Sequence, residues 1–578
     1  MGALLAFQPA AKGTSDRFEA ARAWIEGAKG LVVLGRGAHV VKFRRRNGSG
    51  TAVASAGGSW VASAGNWRHP DVPGDDNAAL LARLSVQGAR VLDGLDGCFA
   101  LLWHDAATGT LTAMPDHLGR LRFYVAPAPE GLYLGTSPVA LARAARRGID
   151  PVAAFEFLAT GVIYEDRSPF EGVQRLAGGK RHRFALGRAA GEDDAPRVPP
   201  RTAGPKATVD DVAEACRAAV REWGLGRALP DLTGGLDSRL VVGLLLNAGL
   251  RFEVTVTGDA DEPDVRVAAA LARRLGLTLR QVPGELGRRA QGSFDSVLRA
   301  AARVEGTYDA AEYAAIAAVH EPHSAIFELS VNGSGGEVFR NYWWDRSHVG
   351  RREGDAAGEL LRRFAGAAAS TPFLAEALRR DPAQHFRGVL ARALLGLDSS
   401  MLPARFDHAY LHLRMRCWQG AIASATNEIW PTLSPLLLRR PLETLYRLDD
   451  RERLDHRLIR AILLSFPTPL HTTRLATGFP PLAPGPLNLW RFAPGALAQP
   501  AHLLRRVLDR LRRGRPDPRS LGSVRALLES GAADFLRPRE MALRPLLEEA
   551  RLEAFLARPS FPLLGRLIAL EWAAREAR

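Results

Sequence analysis

The chain has 578 residues, 47% of them hydrophobic, which is enough for two or more domains with substantial cores. Its net charge is +15, but the basic residues are mostly arginines scattered over amphipathic segments, a pattern typical of solvated helix faces and not of a nucleic-acid interface. Its apolar runs fall short of the roughly 20 residues of a membrane span, and its 3 cysteines lie far apart, which argues against a disulfide framework and a zinc site. We therefore expect a cytoplasmic protein with no membrane insertion and no nucleic-acid partner.

The first part of the chain is rich in predicted strands. Short apolar runs bounded by glycine and asparagine lie between residues 30 and 135, and one amphipathic stretch, Asp76 to Gln87, predicts a helix among them. Helices that flank antiparallel strands make an α+β layered domain. Residues 189–206 are rich in proline, glycine and charge and are the predicted linker to the next domain.

A polar stretch from Asp231 to Arg239, with the sequence DLTGGLDSR, separates two apolar runs. The run at residues 228–232 predicts a short buried strand and the later run a helix, so the stretch is a strand-to-helix turn. Adjacent glycines let a ligand approach the backbone, and the start of a helix presents unpaired N–H groups to an anion. Ser238 adds a hydroxyl donor and Asp237 a carboxylate of the kind that magnesium prefers. The turn predicts a phosphate site; the alternative is a glycine turn with a Ser/Asp helix cap and no ligand.

After this turn the pattern continues as strand, helix, strand, which predicts a doubly wound parallel sheet. Residues 252–257 and 277–279 are the predicted second and third strands. A further strand, 325–331, runs into a glycine-rich turn at residues 332–340. From about residue 352 onward, the spacing of leucine, alanine and arginine predicts mainly helices.

Segments of the first part resemble the glutamine-hydrolysing N-terminal-nucleophile domain found in asparagine synthetase. They are residues 95–100 (LDGCFA), 115–119 (PDHLG), 123–124 (FY) and 135–138 (GTSP). In that family the thiol of the residue after the initiating methionine is the nucleophile, and this chain has Gly2 there. The resemblance therefore implies a domain that keeps the fold but cannot hydrolyse glutamine.

The turn at residues 233–238 (TGGLDS) resembles the Ser-Gly-Gly-x-Asp-Ser pyrophosphate loop of enzymes that split ATP into AMP and pyrophosphate. The turn at residues 332–340 resembles a second signature of asparagine-synthetase-like domains, in which carboxylates hold magnesium. The resemblance implies ATP and Mg²⁺, with Asp237 and Glu337 as the metal ligands. It assigns the ATP and pyrophosphate contacts to Leu232, Thr233, Gly234, Gly235, Asp237, Ser238, Val256, Thr257, Gly258, Gly333 and Gly335. For the residues at strand ends, a role in the apolar core is the alternative.

A third segment, residues 470–480, resembles the Arg-x-Lys-x-Gly-Phe loop of the same family, but Ala476 stands in place of the lysine. That lysine neutralises the charge of the adenylation transition state, so the resemblance implies that an arginine does so here. The candidates are Arg474, Arg460 and Arg457. The catalytic set implied by the resemblance is Asp237, Ser238, Glu337, Arg474 and Arg460.

These segments divide the chain into four predicted parts. Residues 1–188 are a degenerate glutamine amidotransferase-like domain of α+β fold, and residues 189–206 are the linker. Residues 207–480 are an ATP-pyrophosphatase domain with an α/β doubly wound parallel sheet. Residues 481–578 are a helical C-terminal extension.

The activity implied by the resemblance is ATP-dependent amide formation through an acyl adenylate. Because Gly2 removes glutamine as a source of ammonia, the amine should come from a substrate. We favour macrolactam closure of a lasso peptide, between its N-terminal amine and an Asp or Glu side chain, with a leader-peptide protease as partner. Tyr342, Trp343, Trp344 and Trp430 could line a peptide-sized pocket. The alternatives are β-lactam synthetase-like or asparagine synthetase-like amidation of a small molecule, and a non-catalytic nucleotide-binding protein.

Overall fold

The computed structural model describes residues 2–10, 15–29, 31–37, 39–45, 53–74, 76–195, 198, 205–352, 355–364, 370–395, 397, 401–482, 489–493 and 518–578. Its strands are β1 Ala3–Pro9, β2 Leu31–Gly37, β3 Val40–Arg45, β4 Ala54–Ala56, β5 Ser59–Arg68, β6 Asp96–Asp105, β7 Thr110–Pro115, β8 Tyr124–Ala128, β9 Gly131–Gly135, β10 Gln174–Arg175, β11 Lys180–Ala185, β12 Arg188–Asp194, β13 Ala228–Pro230, β14 Val254–Thr257, β15 Leu279–Val282, β16 Leu329–Val331 and β17 Thr432–Leu433.

Its α-helices are α1 Asp16–Lys29, α2 Asn77–Gln87, α3 Pro138–Ala145, α4 Pro151–Thr160, α5 Val209–Glu222, α6 Asp237–Asn247, α7 Pro263–Leu275, α8 Gly284–Gly292, α9 Phe294–Val304, α10 Ala310–Ser324, α11 Gly336–Phe339, α12 Ala356–Phe364, α13 Pro382–Ala393, α14 Leu402–Ala409, α15 Gly420–Asn427, α16 Arg439–Leu445, α17 Asp450–Arg453, α18 Arg457–Ser465, α19 Pro518–Leu527, α20 Ala533–Phe535, α21 Glu549–Ala557 and α22 Phe561–Glu576. A π-helical segment, Tyr410–Gln419, joins α14 to α15.

The N-terminal part is built in four layers: helix, sheet, sheet, helix. Its two antiparallel sheets have the strand orders β10-β8-β9-β1-β3-β2 and β12-β11-β7-β6-β5-β4. In β1, Leu4 and Ala6 pack between the sheets, whereas Leu5 and Phe7 belong to the cluster that includes α1 and α3. Helix α2 packs on the outer face of the second sheet. The predicted α+β layering is confirmed, and central strands such as β1, β6 and β9 are apolar on both faces because both faces are covered.

Two parts of this domain differ from the prediction. Strand β1 and helix α1 were not predicted, and β12 takes up residues 189–194 of the predicted linker. Strand β12 pairs only with β11 and is largely exposed, so its Gly, Glu and Asp residues give no apolar pattern by which a strand could be recognised. Asn47 and Gly48, which match the family's glutamine-holding segment poorly, lie outside the described residues.

The second part contains parallel strands connected through helices. Strands β13, β16 and β17 are parallel neighbours, as are β14 and β15. A parallel bridge between Asp231 and Thr255 joins the two sets, which gives the order β15-β14-β13-β16-β17. Strand β13 covers Ala228–Pro230, two residues fewer than predicted, although Asp231 and the Leu232 N–H still pair with Thr255 of β14. The carboxyl ends of these strands therefore share one edge of the sheet.

Helix α22 lies in the segment predicted as a helical C-terminal extension. It packs against α9, α10 and α4, and most of its residues are buried. Its buried Glu571 carboxylate accepts hydrogen bonds from the Ala542 and Leu543 N–H groups. The end of the described chain therefore completes the core between the two domains. No helix in the described ranges is both long and apolar enough to cross a bilayer.

A buried ionic cluster joins α1 to the helices around the parallel sheet. The Lys29 ammonium lies 2.8 Å from the Glu305 carboxylate and also contacts Glu428. The Ser137 hydroxyl donates a further hydrogen bond to Glu305. Burial opposes the charge on Lys29, but the two carboxylates outweigh it and raise the Lys29 pKa. Because a buried charge that loses its partner is costly, this cluster fixes how the two domains meet.

Candidate functional site

The loop between β13 and α6 is shaped by hydrogen bonds among its own groups. The Ser238 Oγ accepts a bond from the Thr233 N–H at 3.0 Å and lies 2.9 Å from Thr233 Oγ1. The Gly235 N–H donates to Thr233 Oγ1, and the Gly234 N–H donates to the Asp264 carboxylate at the start of α7. The Thr233 and Ser238 hydroxyls, which belong to residues assigned to phosphate contacts, thus lie together beside the glycine turn. Asp264 is a neighbour that no local pattern indicated.

The start of α6 has no side-chain cap. Its N-cap residue is Leu236, which makes no side-chain hydrogen bond to the first turn. The alternative interpretation of the turn, a Ser/Asp helix cap, therefore does not describe this geometry. First-turn N–H groups and the positive end of the helix dipole suit an anion.

A second glycine-rich loop, between β16 and α11, packs directly against the start of α6. A Cβ atom on Gly333 or Gly336 would overlap atoms of Asp237 or Ser238, so neither position has room for a side chain. Gly335 has a left-handed φ of 94°, which residues with a side chain rarely adopt. The glycines of this signature are thus required for the two loops to approach each other.

An ion pair that was not predicted engages Asp237. Arg340, at the end of α11, donates from Nε to Asp237 Oδ1 and from Nη2 to Asp237 Oδ2, each at 2.9 Å. Burial raises the pKa of Asp237, Arg340 opposes this, and the nearby Glu337 carboxylate adds to the rise. Burial, and then the Glu337 carboxylate, also raise the pKa of Tyr410, so its hydroxyl stays protonated beside Glu337. Two acids therefore lie close together, and the Arg340 guanidinium pairs with one of them, Asp237.

The third loop also reaches the glycine turn. The Ala476 N–H donates to the Gly234 carbonyl at 3.1 Å, so the residue in the family's lysine position lies directly against the first loop. The buried Arg239 guanidinium fixes this loop by donating hydrogen bonds to the carbonyls of Leu470 and Thr473. Three segments that are far apart in sequence thus meet at the start of α6.

Arg474 and Arg460, two of the arginines proposed to replace the lysine, donate hydrogen bonds mainly to main-chain carbonyls. Arg474 Nη1 donates to the Gly478 and Arg491 carbonyls, and Arg460 Nη1 donates to the Asp455 carbonyl. Arg457 is exposed at the start of α18. The guanidinium that contacts the Asp237 carboxylate belongs instead to Arg340. This contact was not predicted, because no local pattern links Arg340 to Asp237.

A cavity of about 460 Å³ opens beside the first loop, at the carboxyl edge of β13, β14 and β16. Val256 and Thr257, two of the residues assigned to ATP contacts, line it. Leu232 is fully buried and Gly258 is outside the lining, so the structure does not bring these two to the cavity. Helices α8 and α10 form the opposite wall. Ligands of open parallel sheets bind at this edge.

Polar groups of the cavity add to the predicted set. Burial raises the pKa of Asp231 to about 7 and lowers that of His320 to about 4. The His320 Nδ1 accepts a hydrogen bond from Trp430 Nε1 at 2.9 Å, so the neutral ring carries its proton on Nε2. The cavity therefore offers a carboxyl group that titrates near neutrality and a neutral imidazole donor. No local sequence signal indicated His320.

The four aromatic residues proposed for a peptide pocket divide into two kinds. Trp344 is buried and its Nε1 donates to Asp407, and Trp343 is buried against the Tyr410 ring. Tyr342 is 57% exposed beside Arg340, and Trp430 lines the cavity. All three indoles are buried in the core, and among these four residues only Trp430, which also lines the cavity, and the exposed Tyr342 are placed to touch a ligand.

The nucleophile position of the N-terminal domain has no room for a side chain. Gly2 has a left-handed φ of 89°, and a Cβ there would overlap the Phe43 carbonyl. The Gly2 N–H donates to the Asn427 carbonyl, and Asn427 Nδ2 donates to the Gly2 carbonyl. This backbone is clamped onto the second domain.

No cysteine supplies a reactive thiol in place of the missing one. Cys98, Cys216 and Cys417 are all buried. Burial raises the pKa of Cys98 and of Cys216 to about 12, and it also raises that of Cys417. Since the thiolate is the nucleophile, these thiols are inert near neutral pH.

Residues 73–192 match a glutamine amidotransferase domain. The match spans β6 to β11 and most of β12, and it confirms the amidotransferase-like character of the N-terminal domain. It begins well after Gly2, so it does not test the prediction that the nucleophile is missing.

Two solved structures show weak likeness. One is glutamine phosphoribosylpyrophosphate amidotransferase from B. subtilis, complexed with ADP and GMP (11% identity, 42% of this chain, 51% of that chain, TM-score 0.19). The other is the allosteric regulatory enzyme of purine biosynthesis (8% identity, 49% of this chain, 74% of that chain, TM-score 0.22). The chain spans about half the length of the first, and TM-scores of this size do not establish a shared fold. Among curated proteins, none matched the chain.

We expect the purified protein to release no glutamate from glutamine above background, because the nucleophile position has no side chain and the thiols are buried. The measurement is glutamate formation with and without a thiol-alkylating agent. Glutamine hydrolysis that the agent abolishes would contradict the assignment of a degenerate domain.

Proposed function

We propose that the protein forms amide bonds with ATP, through an acyl adenylate, and that its reaction is macrolactam closure of a lasso peptide. The observation that carries the proposal is the meeting of three loops at the start of α6. Thr233 to Ser238, Gly333 to Gly336 and Ala476 come from separate parts of the chain and contact one another beside a cavity. A plain structural turn would not require two glycine-rich loops and a third segment at one helix start.

The arrangement suits a nucleotide with its phosphates at the helix start. The base would enter the cavity along Val256 and Thr257, and the phosphates would meet the Gly234–Gly235 turn and the Ser238 hydroxyl. ATP is the substrate whose α-phosphate is attacked by a carboxylate, releasing pyrophosphate. An amine then displaces AMP and the amide forms.

The two acids at the loops fit a divalent cation. Asp237 and Glu337 lie close enough for one carboxylate to raise the pKa of the other, a repulsion that a cation relieves. The described residues include no group of three or more potential ligands, so the phosphates would complete the coordination. Bound there, Mg²⁺ would offset phosphate charge.

The amine is assigned to the substrate because Gly2 cannot support glutamine hydrolysis. A peptide with a free N-terminal amine supplies both reacting groups, the second being an Asp or Glu side chain. The cavity of about 460 Å³ is of nucleotide size, so the peptide would lie outside it, toward the exposed Tyr342 ring. A leader-peptide protease remains the proposed partner.

A non-catalytic nucleotide-binding protein is the second candidate. The observation that favours it is the pairing of Asp237 with Arg340 and of the Gly234 N–H with Asp264, since both contacts engage groups that a nucleotide and its metal would use. β-Lactam synthetase-like and asparagine synthetase-like amidation of small molecules remain alternatives for the substrate.

Pyrophosphate release with purified protein, ATP, Mg²⁺ and candidate precursor peptides tests the proposal. We expect release that depends on the peptide, and a peptide product lighter by one water in the mass spectrum. A peptide with Asn or Gln in place of the acceptor acid should give neither, and an N-acetylated peptide should give no cyclic product. ATP binding without pyrophosphate release for any peptide would favour the non-catalytic candidate.

A further inference from the structure

A second cavity, of about 520 Å³, lies between the N-terminal domain and the C-terminal helix. The end of α3 and the chain that follows it (residues 143–149), the loop at residues 542–546 and the end of α22 form its walls. It shares no lining residue with the cavity beside Thr233. It is therefore a separate candidate site.

Four arginines line this cavity: Arg143, Arg146, Arg147 and Arg578. No aspartate or glutamate is among its lining residues. The carboxylates of the same segments are engaged elsewhere in the described structure. Asp150 accepts the first N–H groups of α4, Glu571 accepts those of the 542–546 loop, and Glu576 accepts from an indole. Among the described residues, none of these four guanidiniums forms an ion pair with a side-chain carboxylate within 4 Å.

Main-chain carbonyls hold three of these guanidiniums in place. Arg143 Nη1 donates to the Glu576 carbonyl at 2.5 Å, Arg147 Nη2 to the Pro127 carbonyl at 3.0 Å, and Arg578 Nη2 to the Ala542 carbonyl at 2.9 Å. A guanidinium has five N–H donors, so one such bond orients the group and leaves it able to bind an anion. These hydrogen bonds already restrict the arginine side chains, so ligand binding costs less conformational entropy.

The fourth arginine, Arg146, like Arg578, is exposed. It ends α3 with a left-handed φ of 54°. Apolar side chains complete the cavity, among them Ile149, Phe170 and Leu543. The site therefore combines a cationic rim with an apolar wall, which is the character of a pocket for an amphipathic anion.

We propose that this cavity binds a small organic phosphate. Guanidiniums gathered around one cavity repel one another, and a multiply charged anion removes that repulsion. Their planar forks match phosphate oxygens in a bidentate way, and the volume suits a ligand of about mononucleotide size. Because the ligand would touch α3, the 542–546 loop and α22 together, its binding would tie the two domains. The proposal does not depend on the amide-forming activity.

Calorimetric titration of the full chain with ADP tests the proposal, with Arg146→Glu as the variant. Arg558→Glu is the matched control, since Arg558 is an exposed arginine after α21, outside both cavities, and the change in charge is the same. We expect Arg146→Glu to weaken ADP binding at this cavity by about 10- to 100-fold, as for loss of a charge-assisted hydrogen bond, and Arg558→Glu to leave it unchanged. Melting temperatures show that both variants fold; if Arg146→Glu does not, Arg146→Ala replaces it.

Hydrogen exchange locates the site independently of the nucleotide cavity. ADP should protect residues 143–149 and 542–546 in the wild type, and this protection should disappear in the Arg146 variant. ADP titrations that are the same in wild type and variant would overturn the proposal, whether or not ADP binds beside Thr233. Binding of hexaglutamate but not of ADP would overturn it in favour of an acidic peptide. Inorganic phosphate that binds as tightly as ADP would overturn the assignment of an organic ligand.

Discussion

Asp237→Asn is expected to lower peptide-dependent pyrophosphate release by about 100- to 1,000-fold, the usual cost of losing one electrostatic contact to a transition state. The change keeps the size of the side chain, which matters because Gly333 and Gly336 pack directly against Asp237. It removes the charge that is proposed to hold magnesium and that pairs with Arg340. Single-turnover pyrophosphate release and ATP affinity, measured together, separate a loss of rate from a loss of binding.

The control for this change must also break an ion pair. Glu253→Gln does so, because Glu253 bonds to Arg280 at 2.5 Å near the opposite, amino-terminal end of β14. We expect near wild-type release from this variant. Since Asp237→Asn leaves a largely buried Arg340 without an anion, its melting temperature must be measured as well. A folded Asp237→Asn protein with wild-type turnover would show that the loop is only structural.

Arg340→Gln is expected to slow adenylation by a similar factor, about 100- to 1,000-fold, while ATP binding weakens much less. The transition state needs a cation because Ala476 replaces the family's lysine, and Arg340 supplies the guanidinium that bonds to Asp237 at the start of α6. The Asp237 and Glu337 carboxylates outweigh burial and raise the Arg340 pKa, so it keeps its charge. Arg340 pairs with the Asp237 carboxylate, which is the proposed ligand of Mg²⁺. When Mg²⁺ binds that carboxylate, the Arg340 guanidinium becomes available to phosphate.

Arg474→Gln is the comparison that decides between the two arginines. Its guanidinium bonds to carbonyls within and next to its own loop, so we expect a lower melting temperature and weaker ATP binding, with a smaller effect on the single-turnover rate. The reverse result, a slow Arg474→Gln and a normal Arg340→Gln, would return the role to the residue that the sequence indicated. Normal rates in both variants and also in Arg457→Gln and Arg460→Gln would contradict the idea that arginine replaces the lysine.

Much of the candidate site is visible in local sequence. The turn at residues 233–238 lies between an apolar strand and an apolar helix, and both the periodicity and the glycines are short-range signals. The contact between Ala476 and Gly234 is long-range, but the loop carrying Ala476 could be recognised by its resemblance to a family segment. In both cases the residues proposed to bind the ligand are themselves part of the local sequence pattern by which the loop can be recognised.

Other features carried no such signal. Asp264, Arg340 and His320 reach the loops or the cavity from helices α7, α11 and α10, and their spacing along the chain says nothing about which strand end they will face. Strand β12 is polar because it lies at an exposed edge, so its composition resembles a linker. Helix α22 is buried on nearly every face. Its sequence alone does not show which helices it packs against.

The sequence by itself determined the layered first domain, the alternation of strand and helix in the second, and the glycine turns, because each depends on neighbours within a few residues. Only the tertiary structure decided that Arg340 pairs with Asp237, that Gly2 has no space for a thiol, and that four arginines gather at one cavity. These depend on the packing of segments that are distant in sequence, where geometry and burial, and not local propensity, set which groups meet and how they are charged.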